Sequence, residues 1–131
     1  MKALLVDDAT FMRLILRNYL SVVQFSEILE ASDGRMALEM YKSHRPDLVT
    51  MDLTMPEMDG LASLRRIMEF DSDAKVIVCS ALGHRDFVTE ALKLGAKDFI
   101  TKPFQQAQIV RTVRNVLGLD DEKAERGAGL S

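Results

Sequence analysis

At four positions far apart in the sequence, polar residues follow a short apolar run. They are the pair Asp7-Asp8, and then Asp52, Ser80 and Lys102. If the apolar runs are parallel strands of one sheet, their carboxyl ends meet in one crevice, where open α/β sheets bind their ligands. Carboxylates are the hard oxygen ligands that Mg²⁺ prefers, and one of them can act as a nucleophile toward a phosphoryl donor. These residue types therefore predict a magnesium-dependent phosphoryl site, in which a hydroxyl and an ammonium neutralise the phosphoryl oxygens.

The bulk composition is that of one ordinary globular domain. The chain has 131 residues and a net charge of −3 at pH 7. This length can bury a continuous core without disulfides or metals. The acidic balance argues against a direct role on nucleic acid or at a membrane surface. The chain has one cysteine, Cys79, no signal-peptide layout and no apolar stretch of membrane-spanning length, so we expect a cytoplasmic protein.

Short β-rich runs alternate with longer helical patterns, which is typical of βαβ units and a parallel sheet. The predicted strands cover about residues 2–6, 27–31, 47–52, 75–79 and 98–101. Thr10 is predicted to cap the first helix and Asp59 the third. Because several strands are almost continuously apolar, helices should cover both faces of the sheet. We predict an α/β fold with a doubly wound five-stranded parallel sheet, in the flavodoxin-like order 2-1-3-4-5, flanked by five helices.

The apolar pattern ends at about residue 118. The following segment, which begins Asp120-Asp121-Glu122-Lys123, has no apolar period. We therefore predict one domain over residues 1–117. Residues 118–131 would form a disordered tail, an engineered end or the start of a linker to a further domain.

Several motifs of the chain coincide, in order and spacing, with those of one protein family. They are Val6-Asp7-Asp8, the run from Met51 to Gly60, Cys79-Ser80-Ala81 and Lys102-Pro103-Phe104. Over roughly residues 2–117 the chain resembles the receiver domains of two-component response regulators. Two further motifs, Thr10 to Arg13 and Gly95 to Phe99, are most similar to those of the single-domain regulators of chemotaxis.

The resemblance implies a role for each acid of the site. Asp52 would be the phosphoacceptor and would take a phosphoryl group from the phosphohistidine of a histidine kinase. Mg²⁺, or Mn²⁺ in its place, would be bound directly by Asp8, by Asp52 and by the backbone carbonyl of Thr54. Asp7 would act on the metal through water.

The resemblance also implies how phosphorylation would be reported to the surface. Ser80 and Lys102 would contact the phosphoryl oxygens, and Phe99 would turn inward as Ser80 moves toward the phosphate. The peptide bond that precedes Pro103 would be cis. The surface formed by the fourth helix, the fifth strand and the fifth helix would then change and control partner binding.

The implied partners are proteins. They are a histidine kinase, a downstream target such as the flagellar motor switch, and a phosphatase, in a phosphorelay of chemotaxis or motility. Neither nucleic acid nor a membrane is expected as a direct partner. Kinase docking is predicted on the first helix and the last loop, through Phe11, Met12 and Phe104.

Two positions near the site bear on the lifetime of the phosphorylated state. Thr54 lies two residues after Asp52, and Leu82 lies two residues after Ser80. The resemblance implies that these positions tune dephosphorylation. Neither side chain carries an acid or an amide that could orient an attacking water. We therefore predict slow autodephosphorylation, in a signalling switch that catalyses only its own phosphotransfer and is not otherwise an enzyme.

Three other interpretations stay open. The chain could be the receiver domain of a larger regulator, for instance a transcriptional one. It could be a small phosphatase that works through an aspartyl phosphate, but such enzymes of the haloacid-dehalogenase type carry a second Asp where this chain has Thr54. A receiver that acts without phosphate is disfavoured because none of the acids is missing, and Ser80 and Lys102 are both present.

Overall fold

The computed structural model describes residues 1–53, 55, 60–81 and 84–119. These residues form β1 (Lys2–Val6), α1 (Thr10–Leu20), a 3₁₀ turn (Ser21–Val23), β2 (Glu27–Ala31), α2 (Gly34–His44), β3 (Leu48–Asp52), α3 (Gly60–Phe70), β4 (Val76–Ala81), α4 (Arg85–Leu94), β5 (Asp98–Lys102) and α5 (Gln106–Leu117). All paired strands are parallel, and their order is β2-β1-β3-β4-β5. The predicted doubly wound α/β fold is therefore confirmed.

The strands separate two apolar cores, one on each face of the sheet. On the face covered by α1 and α5, helix residues such as Leu16 and Ile109 pack against Leu5 of β1. On the face covered by α2, α3 and α4, Leu64 packs against Val6 and other strand residues of the opposite parity. Every helix in the part of the chain that the structure describes is too short or too polar to cross a bilayer.

The order of the strands reverses between β1 and β3. The chain leaves β1 toward β2 on one side, and β3 pairs with β1 on the other side. At such a switch point the connections leave in opposite directions and open a crevice at the carboxyl ends of the two strands. Asp52 ends β3, and Asp7 directly follows β1, so both reach this crevice.

Two strands extend further than the apolar pattern predicts. β4 runs through Ser80 to Ala81 instead of ending at residue 79, and β5 includes Lys102. The cause is pairing between the two strands, in which Ser80 lies opposite Thr101 and Ala81 opposite Lys102. Polar strand ends of this kind give no apolar signal in the sequence.

The predicted cap of α1 is wrong. Ala9 occupies the cap position and makes no side-chain cap hydrogen bond, while Thr10 is the first helical residue. The Thr10 hydroxyl instead accepts a hydrogen bond from Nη2 of Arg13 at 3.3 Å. Oδ1 of Asp7 accepts the N–H of Ala9 at 2.9 Å, so an aspartate before the cap position satisfies this backbone group. The predicted cap residue Asp59 lies outside the described residues.

Tyr41 connects α2 to the residue that follows α3. Its ring is buried, and its hydroxyl donates to Oδ2 of Asp71 at 2.7 Å. This hydrogen bond is the largest cause of the lowered pKa of Asp71. A carboxyl whose pKa is lower in the folded state stabilises the fold above its unfolded pKa, and that stability is lost as the pH falls through the folded pKa.

We expect the substitution Tyr41→Phe to lower the free energy of unfolding at neutral pH by about 1 kcal/mol, because it removes the hydroxyl and keeps the ring. The difference from the wild type should narrow as the pH falls below the unfolded pKa of an aspartate, about 3.9. Urea unfolding of both proteins across this pH range measures the difference. A difference that stays constant would contradict the role given to the Asp71 carboxylate.

Candidate functional site

Three carboxylates lie together at the carboxyl ends of β1 and β3. Asp7, Asp8 and Asp52 each place one oxygen within 4.8 Å of the oxygens of the other two. The two strands are hydrogen-bonded neighbours, and Val6 pairs with Met51. The residues that follow this pair therefore lie side by side, as the sequence predicts.

Lys102 lies between two of these carboxylates. Its Nζ is 3.0 Å from Oδ2 of Asp7 and 3.5 Å from Oδ2 of Asp52. Both acids are buried, at 2% and 3% exposure. Burial acts to lower the pKa of Lys102, but the hydrogen bond to Asp7 and the neighbouring negative charges outweigh it, so the pKa is raised. The ammonium therefore stays charged.

Negative charge remains in excess at this site. We call Asp7, Asp8, Asp52 and Lys102 the acid–lysine cluster; three carboxylates and one ammonium give it a formal charge of −2. Burial raises the pKa of Asp7, although the N–H of Ala9 and the Lys102 ammonium both donate hydrogen bonds to it. A divalent cation would neutralise the remaining charge.

The donor set of the cluster fits Mg²⁺. All of its candidate ligands are carboxylate oxygens, and Asp8 is exposed, so water and a phosphoryl oxygen can complete the coordination. Cys79, the register partner of Asp52, is the nearby soft donor. Burial raises the pKa of its thiol to about 12, which keeps it a neutral, inert core residue.

Ser80 and Phe99 lie on the other face of the sheet. Strand side chains alternate between faces, and Cys79 and Ile100 pack in the core beneath α1 and α5. Their neighbours Ser80 and Phe99 accordingly face α4. The Ser80 hydroxyl is buried and donates to the carbonyl of Ala81 at 3.2 Å. The structure therefore brings the four charged residues of the predicted site together and leaves this hydroxyl turned to its own backbone.

A cavity of about 460 Å³ lies between these two residues and α4. Ser80 and Phe99 line it from the sheet, and Val88 and Leu92 line it from the helix. The Phe99 ring is 44% exposed. A benzene ring fits an apolar cavity of roughly 150 Å³, so the space beside Ser80 can accommodate an aromatic side chain.

The predicted kinase-docking residues lie beside the cluster on the face of α1 and α5. Phe11, Met12 and Phe104 line a groove of about 420 Å³ together with Lys102 and Pro103. Phe11 is 69% exposed. The Lys102–Pro103 peptide bond is cis. The two predicted tuning positions, 54 and 82, lie outside the described residues.

Two residues near the cluster are not predicted as functional from the sequence. Arg13 donates to the backbone carbonyl of Asp7 and to Glu30 of β2, and no local sequence pattern indicates either contact. Gly60 begins α3 directly against the main chain of Asp52, where a Cβ would lie 2.1 Å from the carbonyl oxygen. An Asp-Gly pair before a helix was the available signal for Gly60, but the same pair is common in ordinary turns.

Residues 3–114 match the family model described as the response regulator receiver domain. This is most of the chain, and the protein belongs to the response regulator receiver family. It is similar to the chemotaxis protein CheY of Thermotoga maritima, with 49% identity over 115 residues that cover 88% of this chain and 96% of the relative. The CheY of Bacillus subtilis is 47% identical over 88% of this chain and 97% of its own.

A solved structure shows the same likeness. It is the crystal structure of the CheX–CheY–BeF3–Mg²⁺ complex from Borrelia burgdorferi, one chain of which matches with a TM-score of 0.84 and 42% identity. The match covers 88% of each chain. Fold and sequence thus agree on the class of protein.

Proposed function

We propose that this protein is a cytoplasmic phosphorylation switch of chemotaxis, which accepts a phosphoryl group from a histidine kinase onto Asp52 in the presence of Mg²⁺. The observation that carries the proposal is the acid–lysine cluster at the carboxyl ends of β1 and β3. Membership in the receiver family supports the switch, and the similarity to CheY proteins supports the role in chemotaxis.

The positions of the three acids favour Asp52 as the acceptor. Asp7 has both carboxylate oxygens engaged, Oδ1 by the N–H of Ala9 and Oδ2 by Lys102. Asp8 is exposed to solvent, where an anion is strongly hydrated. Asp52 is buried, and Nζ of Lys102 lies 3.5 Å from one of its oxygens. At Asp52 the positive charge of Lys102 would therefore meet the incoming phosphoryl group.

In the proposed transfer, an oxygen of Asp52 forms a bond to phosphorus as the phosphorus–nitrogen bond of the phosphohistidine breaks. The leaving imidazole keeps the electron pair. The Lys102 ammonium neutralises charge on the phosphoryl oxygens, and bound Mg²⁺ supplies further neutralisation. Asp8, Asp52 and the backbone carbonyl of Thr54 would hold the metal, with Asp7 acting through water.

The proposed output begins at Ser80. Its hydroxyl would leave the carbonyl of Ala81 and donate to a phosphoryl oxygen. Phe99 would then turn from the surface into the cavity beside Ser80. The surface of α4, β5 and α5 would change with it and bind a downstream target, for instance the flagellar motor switch.

Two further partners follow from the same proposal. The histidine kinase would dock on the groove of Phe11, Met12 and Phe104, next to the cluster. A phosphatase would shorten the signal, because neither Thr54 nor Leu82 offers an acid or amide to orient water. The similar crystal structure contains CheX, so a protein of that kind is a candidate partner.

Mass spectrometry of the intact protein after treatment with acetyl phosphate and Mg²⁺ tests the proposal. We expect the wild type to gain one phosphoryl group, and Asp52→Asn to gain none. The matched control is Asp86→Asn, which changes an exposed aspartate in the first turn of α4 and should leave the gain intact. No gain in the wild type, or an equal gain in Asp52→Asn, would contradict the proposal.

A further inference from the structure

Arg13 connects the acid–lysine cluster to the edge of the sheet. Its Nη1 donates to the backbone carbonyl of Asp7 at 2.5 Å, and its Nε donates to Oε1 of Glu30 at 2.8 Å. The Arg13 side chain is only 13% exposed. The N–H of Asp7 donates to the carbonyl of Ala31 in β2 at 3.1 Å. The main chain of Asp7 is therefore held on both sides, by β2 through its N–H and by α1 through its carbonyl.

The carbonyl that Arg13 holds belongs to the peptide group between Asp7 and Asp8. Because a peptide group is planar, a fixed oxygen also fixes the direction of the following nitrogen and Cα. Asp8 is exposed, and its carboxylate receives no hydrogen bond from another described residue. Arg13 therefore constrains the backbone that carries the Asp8 carboxylate.

Glu30 keeps the Arg13 guanidinium in place and also binds a second arginine. Arg17 donates to Oε2 of Glu30 from Nη2 at 2.7 Å and from Nε at 3.1 Å, and to the carbonyl of Ile28 at 3.0 Å. Hydrogen bonds from Arg17 and Arg13 lower the pKa of Glu30, which stays ionised at neutral pH. Arg17 has the same charge and the same partner as Arg13 but makes no contact with Asp7 among the described hydrogen bonds.

We propose that Arg13 is a positioning residue for the metal, which orients Asp7 and Asp8 through the peptide group between them. The inference rests on the proposed function, in which these acids act on Mg²⁺. Arg13 has two opposite effects on a bound cation. Its charge repels the cation, while its hydrogen bond orients the ligands. The loss of a residue that orients metal ligands typically lowers the metal affinity by about 10–100-fold. Glu30 offsets part of the charge of Arg13 and Arg17, and we expect orientation to dominate.

Titration calorimetry with Mg²⁺ on the full chain tests this inference, together with urea unfolding in the absence of the metal. We expect Arg13→Gln to weaken Mg²⁺ binding by about tenfold. Arg17→Gln makes the same change of charge and should bind Mg²⁺ as tightly as the wild type or slightly more tightly. Arg13→Lys keeps the charge, but a single ammonium lacks the fork that spans Asp7 and Glu30, so binding should again weaken.

The direction in which Arg13→Gln changes the Mg²⁺ affinity distinguishes ligand orientation from charge repulsion. Unchanged or tighter binding in Arg13→Gln would overturn the inference, because only the charge effect would then remain. Equal weakening in Arg13→Gln and Arg17→Gln would overturn it as well. If Arg13→Gln fails to fold, Arg13→Lys decides instead, because it leaves the charge unchanged: weaker binding supports the inference, and wild-type affinity overturns it. A wild-type protein that does not bind Mg²⁺ would contradict the proposed function itself, whereas the outcomes above concern Arg13 alone.

Discussion

Replacing Lys102 by methionine is expected to destabilise the protein without metal and to strengthen its binding of Mg²⁺. The Lys102 ammonium lies 3.0 Å from Asp7 and 3.5 Å from Asp52, both of which are buried. Its removal leaves two buried carboxylates without their cation. Breaking a buried ion pair costs about 3–5 kcal/mol, and we expect the lower end because Lys102 is partly exposed.

The expected gain in Mg²⁺ affinity also follows from the removal of the Lys102 ammonium. In the wild type, Mg²⁺ and the Lys102 ammonium would compete for the negative charge of Asp7 and Asp52. The variant removes one competitor, so added Mg²⁺ should restore more stability to Lys102→Met than it adds to the wild type.

Urea unfolding at increasing Mg²⁺ concentration measures both effects of this substitution. The matched control is Lys97→Met, which removes the charge of an exposed lysine before β5 and should change neither quantity appreciably. Wild-type Mg²⁺ affinity in Lys102→Met would show that the ammonium and the metal do not compete.

Gly60→Ala is expected to destabilise the protein, although alanine is normally the better helix residue. A Cβ at Gly60 would lie 2.1 Å from the carbonyl oxygen of Asp52 and 2.5 Å from Cα of Leu53. Both are main-chain atoms, so no side-chain rotation relieves the clash. We expect a loss of about 3 kcal/mol, at the upper end of the usual cost of overpacking. The displaced Asp52 main chain should also reduce phosphoryl uptake.

Gly118→Ala is the matched control for this substitution. Gly118 follows α5 with φ of 72°, and a Cβ there would meet no atom within 4 Å. Alanine at Gly118 therefore experiences only the backbone strain of a left-handed residue, about 1–2 kcal/mol. Urea unfolding should rank Gly60→Ala below Gly118→Ala in stability, and phosphoryl uptake should fall only in Gly60→Ala. The reverse order of stability would show that α3 shifts away from Asp52 at little cost.

The sequence alone predicts the topology and the charged part of the site. Continuous apolar runs mark the buried parallel strands, and polar residues at their carboxyl ends lie together whenever the strands do. For this reason the sequence alone predicts one crevice that contains Asp7, Asp8, Asp52 and Lys102. The true ends of β4 and β5 could not be predicted, because cross-strand pairing and not hydrophobicity extends them through Ser80 and Lys102.

Contacts between helices and strands could not be predicted from the sequence either. Arg13 donates to the main chain of Asp7 after β1 and to the side chain of Glu30 in β2, and no local pattern encodes either contact. Thr10 has the residue type of a helix cap, but the helix begins at Thr10 itself. Asp7 accepts the hydrogen bond from the N–H of Ala9. The roles given to Thr54 and Leu82 stay predictions, since both residues lie outside the described part of the chain.

The alternation of side chains along β4 has a consequence for how such a switch can diversify. Cys79 lies on the same face as the acid–lysine cluster and the docking groove of Phe11, whereas Ser80 lies on the face of α4 and Phe99. Under the proposed function, the kinase docks on one side of the sheet, whereas the output begins at Ser80 on the other side, beneath α4. A gene duplicate could therefore acquire a new target by substitutions on α4 while it keeps its kinase, or exchange its kinase while it keeps its target.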